Sequence, residues 1–322
     1  FVSDQLNLNK EKLEIAASVS KSDLVSGLVG EFPELQGVMG KYFALSQGFE
    51  EDVSRAISEH YLPTSISSPV PKKPISCALS IIDKLDTLVG FYLINEKPTS
   101  SKDPFALRRA AIGLLRTIIE NNLLVKLRDL IDYSIKIYLD QGVKQSNDEV
   151  GKDLLMFFRE RMKNILKEKK IRNDIIEASI SSHFSDNFLE LYKKNLIMNK
   201  FISKDLGKNA VSTYKRASNI LDQEKLASKN GPDAVLFKHE EEKELFERIN
   251  VIRKAFTLKE EKKNYEDHLK LLSDTKLSTD KFFDNVKVND ENQDLKNNRL
   301  ELLQILCSTF NSFVDFSKLE GA

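Results

Sequence analysis

The sequence predicts an all-α protein, and three observations support this prediction. Apolar residues recur every three or four positions in almost every long segment, which is the period of an amphipathic helix. No segment shows the convincing alternation of apolar and polar residues that indicates a half-buried strand. Glycine and proline are sparse, with 12 and 8 among 322 residues, and tryptophan is absent. A chain of this length favours two domains over one.

The first 60 residues predict two helical segments, of which the first is broken. Apolar positions recur at helical spacing from Asp23 onward, but Pro33, Gly37 and Gly40 interrupt them. A second helix is expected to end near His60. The stretch "PTSISSPVPKKP" that follows is rich in proline and serine, so it predicts a loop.

The next two predicted helices carry opposite charges. The stretch "CALSIIDKLDTLVGFY" has helical spacing and includes Asp83 and Asp86. The stretch "KDPFALRRAAIGLLR" predicts a helix with Asp103 as its N-cap and Pro104 at its first position. Three arginines lie along the largely apolar surface of this second helix, although burying an unpaired charge is costly. These arginines are Arg108, Arg109 and Arg116.

Helical spacing continues through the rest of the chain. A helix is predicted from Leu127 to Leu139, and the polar segment at 140–148 is the predicted domain boundary. The stretches "LLMFFRERMKNILKEKK", "AVSTYKRASNILD" and "HEEEKELFERINVIRKAF" predict further helices. The stretch "STDKFFDNVKVNDENQDL" is predicted to be turn-like, and a last helix is expected from about Asp294 to Phe316.

Charge and composition narrow the classes of function. The 49 basic and 49 acidic residues cancel, but residues 151–230 hold 17 basic and 10 acidic ones. Such a basic block is typical of RNA binders, and the alternative is a solvated, lysine-rich helical surface. The two cysteines, Cys77 and Cys307, have neither metal-ligand spacing nor a disulfide pattern, which favours a reducing cytoplasm.

No apolar run approaches the ~18 residues that would span a bilayer, and no signal peptide is recognisable. We therefore expect a cytoplasmic location and no membrane partner. The chain opens on Phe1 in the middle of a pattern, so we expect it to be a piece of a longer polypeptide.

Tests for a catalytic centre are mostly negative. Neither a glycine-rich phosphate loop nor a GxSxG motif occurs, and no histidine is followed by aspartate. A helical metal phosphohydrolase needs paired histidines and aspartates, and only Asp83 and Asp86 could belong to such a site. We favour a polar helix edge, or hydrogen bonds with the neighbouring arginines, for both. His60 is interpreted as a helix-end residue rather than a metal ligand.

The stretch "YKRASNIL" offers different chemistry. Lys215, Arg216 and Asn219 lie at helical spacing, and Lys215 and Asn219 are one turn apart. A positive charge beside an amide suits binding of a phosphate together with a base edge. The alternative is an ordinary exposed helix face.

Together, five stretches resemble the C-terminal half of the beta subunit of bacterial heterotetrameric glycyl-tRNA synthetase. Three of them are "CALSIIDKLDTLVGFY", "KDPFALRRAAIGLLR" and "YKRASNIL". The other two are "KSDLVSGLVGEFPELQGVMGKYFA" and "FFDNVKVNDENQDLKNNRLELLQIL". They occur in the family's order, and the resemblance covers essentially the whole chain.

The resemblance implies a division of the chain. Residues 1–147 would form a degenerate HD-like helical domain, cut at its N-terminal side. Residues 148–322 would form linker helices and a C-terminal, DALR-like anticodon-binding domain. Asp86 falls where HD folds keep a late aspartate, but one carboxylate cannot hold a metal ion.

The resemblance also implies a function. The chain would be the tRNA-binding part of glycine–tRNA ligase, without a catalytic centre or cofactor of its own. The alpha subunit would hold the active site that uses ATP and magnesium. The implied partners are glycine tRNA and the alpha subunit in an α2β2 assembly, without DNA. Two alternatives stay open: an HD-type metal-dependent phosphohydrolase, and a helical scaffold that binds RNA or protein.

Candidate site residues follow from the same resemblance. Lys215, Arg216, Asn219 and Arg299 match the family pattern and would bind the anticodon stem-loop, although Arg299 could instead brace the helical bundle. The three arginines of "KDPFALRRAAIGLLR" have two interpretations. They could form ion pairs with Asp83 and Asp86, or they could contact tRNA phosphates or the rest of the synthetase. Because neighbours on a helix lie about 100° apart, Arg108 and Arg109 cannot both face one core.

Overall fold

The computed structural model describes residues 1–144, 149–181, 186–224, 231–256 and 264–320. Within these ranges every regular element is a helix and no strand occurs, which confirms the predicted fold class. None of the helices in this part of the chain is long and apolar enough to cross a membrane.

The chain divides into two compact units. Unit 1 comprises Phe1–Ile165 and Ser185–Tyr192, and unit 2 comprises Leu166–Phe184 and Lys193–Ala322. The division falls inside a helix, Val150–Glu168, and the domain boundary at residues 147 and 148 stays a prediction. The HD-like assignment of residues 1–147 stays a prediction.

Unit 1 is built around one long, apolar helix, α6. Its residues are buried on nearly all sides, which is typical of a helix at the centre of a bundle. Helices α2, α5, α7 and α8 pack against it. The helices of unit 1 are α1 Val2–Leu6, α2 Lys10–Val19, α3 Gly27–Glu31, α4 Val38–Ser46, α5 Glu51–Glu59, α6 Pro74–Leu93, α7 Leu107–Glu120, α8 Leu127–Asp140 and, as far as Ile165, α9 Val150–Glu168.

The broken helix predicted after Asp23 is confirmed, and a buried carboxylate explains how it folds. Asp23 is 1% exposed, and its Oδ2 accepts hydrogen bonds from the backbone N–H groups of Gly37 at 2.6 Å and Gly40 at 3.1 Å. Asp23 therefore caps α4 across 14 residues. Gly37 adopts a φ of +76°, and a Cβ on Gly40 would lie 2.7 Å from Ile57 Cγ2.

Helix α7 begins later than the sequence predicts. Its first residue is Leu107, so Pro104 lies before the helix and not at its first position. Asp103 still caps the helix, because its two carboxylate oxygens accept from the backbone N–H groups of Leu107 at 2.8 Å and Arg108 at 3.0 Å. The capping carboxylate of Asp103 therefore lies four and five residues before the two N–H groups that donate to it.

Unit 2 is a second helical bundle. Helix α12 packs against α14, α15 and α16, and α13 packs against α14, α15 and α16. The fully buried side chains between them include Ile249, Leu272, Phe282, Leu302 and Phe310. The helices of unit 2 are α10 Asn173–Ser181, α11 Phe188–Ile202 from Lys193 onward, α12 Asp205–Gln223, α13 Glu240–Phe256, α14 Tyr265–Ser273, α15 Thr275–Asn285 and α16 Gln293–Asn311.

The prediction of a turn-like stretch after residue 277 is wrong for its first half, which lies in α15. Phe282 anchors this helix in the core with 0% exposure. Its buried hydroxyls mislead a pattern search, because two of them bond to backbone oxygens, one in α14 and one in α15. Thr275 donates to Leu272 O over 2.6 Å, and Ser278 donates to Thr275 O over 3.0 Å.

Candidate nucleic-acid interface

Helix α12 has one buried face and one polar face. Small and apolar residues, among them Ala210, Val211 and Ala217, face the bundle. The opposite face exposes Lys208, Ser212, Arg216 and Asn219, with Lys215 half-buried beside them. The structure therefore brings together three of the predicted tRNA-binding residues, Lys215, Arg216 and Asn219. Ser212 lies one turn before Lys215 and Arg216, and Lys208 lies two turns before them, so helical spacing could have identified both from the sequence.

Arg216 is surrounded by side chains of α15. Its guanidinium lies 3.4 Å from Asp280 Oδ1 and 3.9 Å from Asp284 Oδ1. The guanidinium carbon lies 4.4 Å from the centroid of the Phe283 ring, which is a cation–π contact. Asp280 is shared, because its Oδ2 lies 2.6 Å from Lys276 Nζ. Acidic groups thus cover part of the surface near Arg216.

Lys215 and Asn219 differ from Arg216. Neither side chain has an ion-pair or hydrogen-bond partner within the part of the chain that the structure describes. An ammonium group and an amide on the same face of one helix can bind a phosphate and a base edge, respectively.

Arg299 lies inside the bundle of unit 2, on α16. Its side chain is 2% exposed, and its Nε lies 2.9 Å from Glu242 Oε1. Its Nη1 lies 2.7 Å from Asp290 Oδ2 and 2.9 Å from the backbone oxygen of Lys287. Burial alone would lower the pKa of Arg299, but hydrogen bonds to the two carboxylates raise it. The structure thus gives Arg299 the bracing role that the sequence left open, and not an exposed position for binding tRNA.

Among the described residues, the three arginines of α7 form no ion pair with the aspartates of α6, so the first of their two interpretations is wrong. Arg108 donates to the backbone oxygen of Thr99, and Arg116 donates to Ile66 O over 2.6 Å and pairs with Glu120 at 2.8 Å. Arg109 is exposed, as the geometry of adjacent helical residues requires for at least one of them. Its side chain has no partner among the described residues.

The α6 aspartates have other neighbours. Asp83 Oδ1 lies 2.7 Å from Lys21 Nζ, which in turn donates to His60 Nε2 over 3.2 Å. His60 is fully buried, and its Nδ1 donates to Ile57 O over 2.7 Å. The Lys21 ammonium group therefore lies between His60 and Asp83. Asp86 is exposed.

Lys84 is a buried residue that the sequence analysis missed. It is 6% exposed, and its ammonium donates to three oxygens around the end of α5: His60 O at 2.9 Å, Leu62 O at 2.8 Å and Ser80 Oγ at 3.0 Å. Burial lowers the pKa of Lys84 to about 8 and also lowers the pKa of His60. A lysine between two aspartates looks exposed in a sequence, so the pattern gave no signal.

The described ranges hold no group of three or more histidine, cysteine, aspartate or glutamate side chains that could bind an ion. The cluster of Lys21, His60, Asp83 and Lys84 contains two ammonium groups, which would repel a divalent cation.

Comparisons with known proteins agree with this geometry. Residues 1–181 match the family described as glycyl-tRNA synthetase beta subunit, and residues 210–316 match the DALR anticodon binding domain. Proteins named glycine–tRNA ligase beta subunit are 40% identical over 311 residues in Rickettsia africae (strain ESF-5) and 39% identical over 317 residues in Rhodospirillum centenum (strain ATCC 51521 / SW). These alignments cover 97% of this chain but 45% and 44% of the two relatives. The chain thus spans a little under half the length of the relatives it matches.

The fold and the second match define the class first: unit 2 contains a helical anticodon-binding domain of the DALR type. The first match and the relatives then define the family. The chain belongs to the glycyl-tRNA synthetase beta subunit family, which confirms the resemblance seen in the sequence.

Proposed function

We propose that this chain is the tRNA-binding part of a glycine–tRNA ligase, and that unit 2 binds the anticodon stem-loop of glycine tRNA. The observation that carries the proposal is that the DALR match at 210–316 includes the polar face of α12 from Ser212 to Asn219. The proposal includes a cytoplasmic location and an alpha subunit as partner in an α2β2 assembly. That subunit carries the active site, with ATP and magnesium, and this chain contributes no catalytic centre or cofactor.

The roles of the α12 residues follow from their chemistry. Lys215 and Arg216 neutralise phosphates, and Asn219 pairs with the edge of an unstacked base. Since one turn of helix rises about 5.4 Å, residues spaced by three or four positions can follow successive nucleotides of a single strand. In unit 1, Arg109 offers an exposed cation to tRNA or to the rest of the synthetase.

The proposal is tested by comparing the binding of glycine tRNA and of a non-cognate tRNA at two salt concentrations. We expect preference for glycine tRNA and an affinity that falls steeply with salt, because binding releases counterions. The double substitution Lys215→Ala/Arg216→Ala should weaken binding and reduce the salt slope by roughly 0.7 per lost contact with single-stranded RNA.

Lys10→Ala is the control, because Lys10 is an exposed lysine of unit 1 that pairs with Glu14 on its own helix. Equal, salt-insensitive binding of both tRNAs would reject the proposed function. Unchanged affinity in the double variant would reject the α12 face as the site.

A further inference from the structure

A cluster on α12 and α15 contains the side chains of Arg216, Lys276 and Phe283. In this cluster the guanidinium of Arg216 already forms ion pairs with carboxylates. We propose that this cluster is a binding site for an RNA phosphate, and that Asp280 and Asp284 hold the place of the phosphate when no RNA is bound. The inference rests on the proposed function, because it assumes that RNA approaches this face of unit 2. It adds two residues of α15, Lys276 and Phe283, to the face of α12.

The existing ion pairs of Arg216 are exposed to solvent. The side chains of Arg216, Asp280 and Asp284 are 47%, 39% and 70% exposed, and their atoms are 3.4 Å and 3.9 Å apart. Ion pairs exposed to this degree contribute little to stability, so an incoming anion can replace them. A phosphate presents the same arrangement of oxygens to a guanidinium as a carboxylate does, and the exchange therefore conserves the chemistry.

Phe283 and Lys276 are the two residues of α15 that support this site. Phe283 is half-buried and meets Phe282, which is fully buried, at 5.4 Å between ring centroids and 67° between planes. This contact fixes the ring that lies under Arg216, so the guanidinium has a firm surface to stack on. Lys276 Nζ lies 2.6 Å from Asp280, and it becomes a second cation for the phosphate once Asp280 turns away.

The positive and negative charges of the cluster cancel. Arg216 and Lys276 are balanced by Asp280 and Asp284, so the cluster exerts little net attraction on RNA at a distance. Lys215, one residue before Arg216 and without a partner in the described ranges, supplies that attraction. The carboxylates therefore reduce the affinity for any polyanion, and only an RNA that already fits the α12 face displaces them.

The test is a double-mutant cycle on glycine tRNA binding, performed with the whole chain. Asp280→Asn/Asp284→Asn should raise the affinity roughly three- to tenfold, as expected for the release of two exposed pairs. It should also steepen the salt dependence. In the Arg216→Ala background the same pair of substitutions should raise the affinity by a clearly smaller factor, because only Lys276 is then released. Thermal unfolding of each variant checks the fold, and Asp284→Asn alone serves as the milder substitution.

Glu240→Gln/Glu241→Gln, in the first turn of α13, is the charge-matched control. A larger gain in the background that keeps Arg216 supports the phosphate site. A gain of the same size with Arg216→Ala, or one that the control reproduces, shows a general effect of charge and overturns the site. No gain, together with weaker binding by Arg216→Ala, also overturns the site but leaves the proposed function intact. Absence of specific tRNA binding in every variant overturns the proposed function itself.

Discussion

Arg299 Nε and Glu242 Oε1 lie 2.9 Å apart, and their side chains are 2% and 1% exposed. This buried pair joins α16 to α13. The second oxygen of Glu242 accepts hydrogen bonds from the backbone N–H groups of Lys238 at 2.7 Å and His239 at 2.8 Å. The same carboxylate therefore braces the bundle and caps the start of α13.

The first prediction follows from this pair. Arg299→Leu leaves Glu242 buried without its cation, so the free energy of unfolding should fall by about 3–5 kcal/mol. Urea unfolding measures the loss. Arg253→Ala is the control, because Arg253 is an exposed residue of α13, and it should change stability by less than about 0.5 kcal/mol. A loss below about 1 kcal/mol for Arg299→Leu would contradict the bracing role.

A second prediction concerns Asp23, which caps α4 from a distance. Asp23→Ala leaves the N–H groups of Gly37 and Gly40 without their acceptor, and the expected loss in the free energy of unfolding is about 1–3 kcal/mol. Gly40→Ala should also destabilise, because its Cβ would lie 2.7 Å from Ile57 Cγ2 and 3.1 Å from Asp23.

Chemical denaturation of both variants, followed by circular dichroism, measures these losses. Asp140→Ala, at an exposed position that ends α8, is the matched control. If Asp23→Ala unfolded at the same denaturant concentration as this control, the capping role of Asp23 would be wrong.

The fold could be predicted largely from the sequence, because the helical period depends on local spacing alone. The errors in the predicted helices also have local physical causes. Asp103 caps α7 from outside its first turn, so the start of that helix is displaced to Leu107. The start of the stretch predicted to be turn-like lies in α15, whose buried face is partly made of hydroxyls that bond to the backbone, as Ser278 does.

The candidate site was predictable only where its residues share a helix. Lys215, Arg216 and Asn219 lie on α12, so their spacing places them together. Their neighbours on α15 come from more than 60 positions away, and no periodicity shows that Asp280 meets Arg216. The predicted pairing of Asp83 with α7 was wrong for the same reason, because Lys21, from a distant turn, takes that position.

The third prediction concerns the pH dependence caused by Lys84. Burial lowers its pKa from 10.5 to about 8, so between these values the unfolded chain binds more protons than the folded one. The free energy of unfolding should therefore rise with pH in this window, by up to about 1.4 kcal/mol per pH unit from this group. At lower pH the burial penalty is fully present.

Urea unfolding between pH 7.5 and 10.5 measures this effect as the difference between the wild type and Lys84→Met. The free energy of unfolding of the wild type minus that of Lys84→Met should increase with pH. This holds whatever stability the variant loses through its missing hydrogen bonds. Lys126→Met, at an exposed position, should leave a constant difference. Parallel curves for wild type and Lys84→Met would show that the buried ammonium does not titrate as proposed.

The last prediction concerns the opposite end of the pH range and His60. Burial lowers its pKa below 6.5, Lys21 and Lys84 act in the same direction, and Asp83 opposes them. Below pH 6.5 the unfolded chain therefore binds a proton at His60 that the folded chain does not bind. The free energy of unfolding should decrease as the pH falls toward the lowered pKa. His60→Asn removes this group and should flatten the decline by up to about 1.4 kcal/mol per pH unit. Unfolding in urea between pH 5 and 7 measures the decline, with His239→Asn as the control because His239 is exposed. Equal slopes for His60→Asn and the control would mean that some other group carries the acid sensitivity of unit 1.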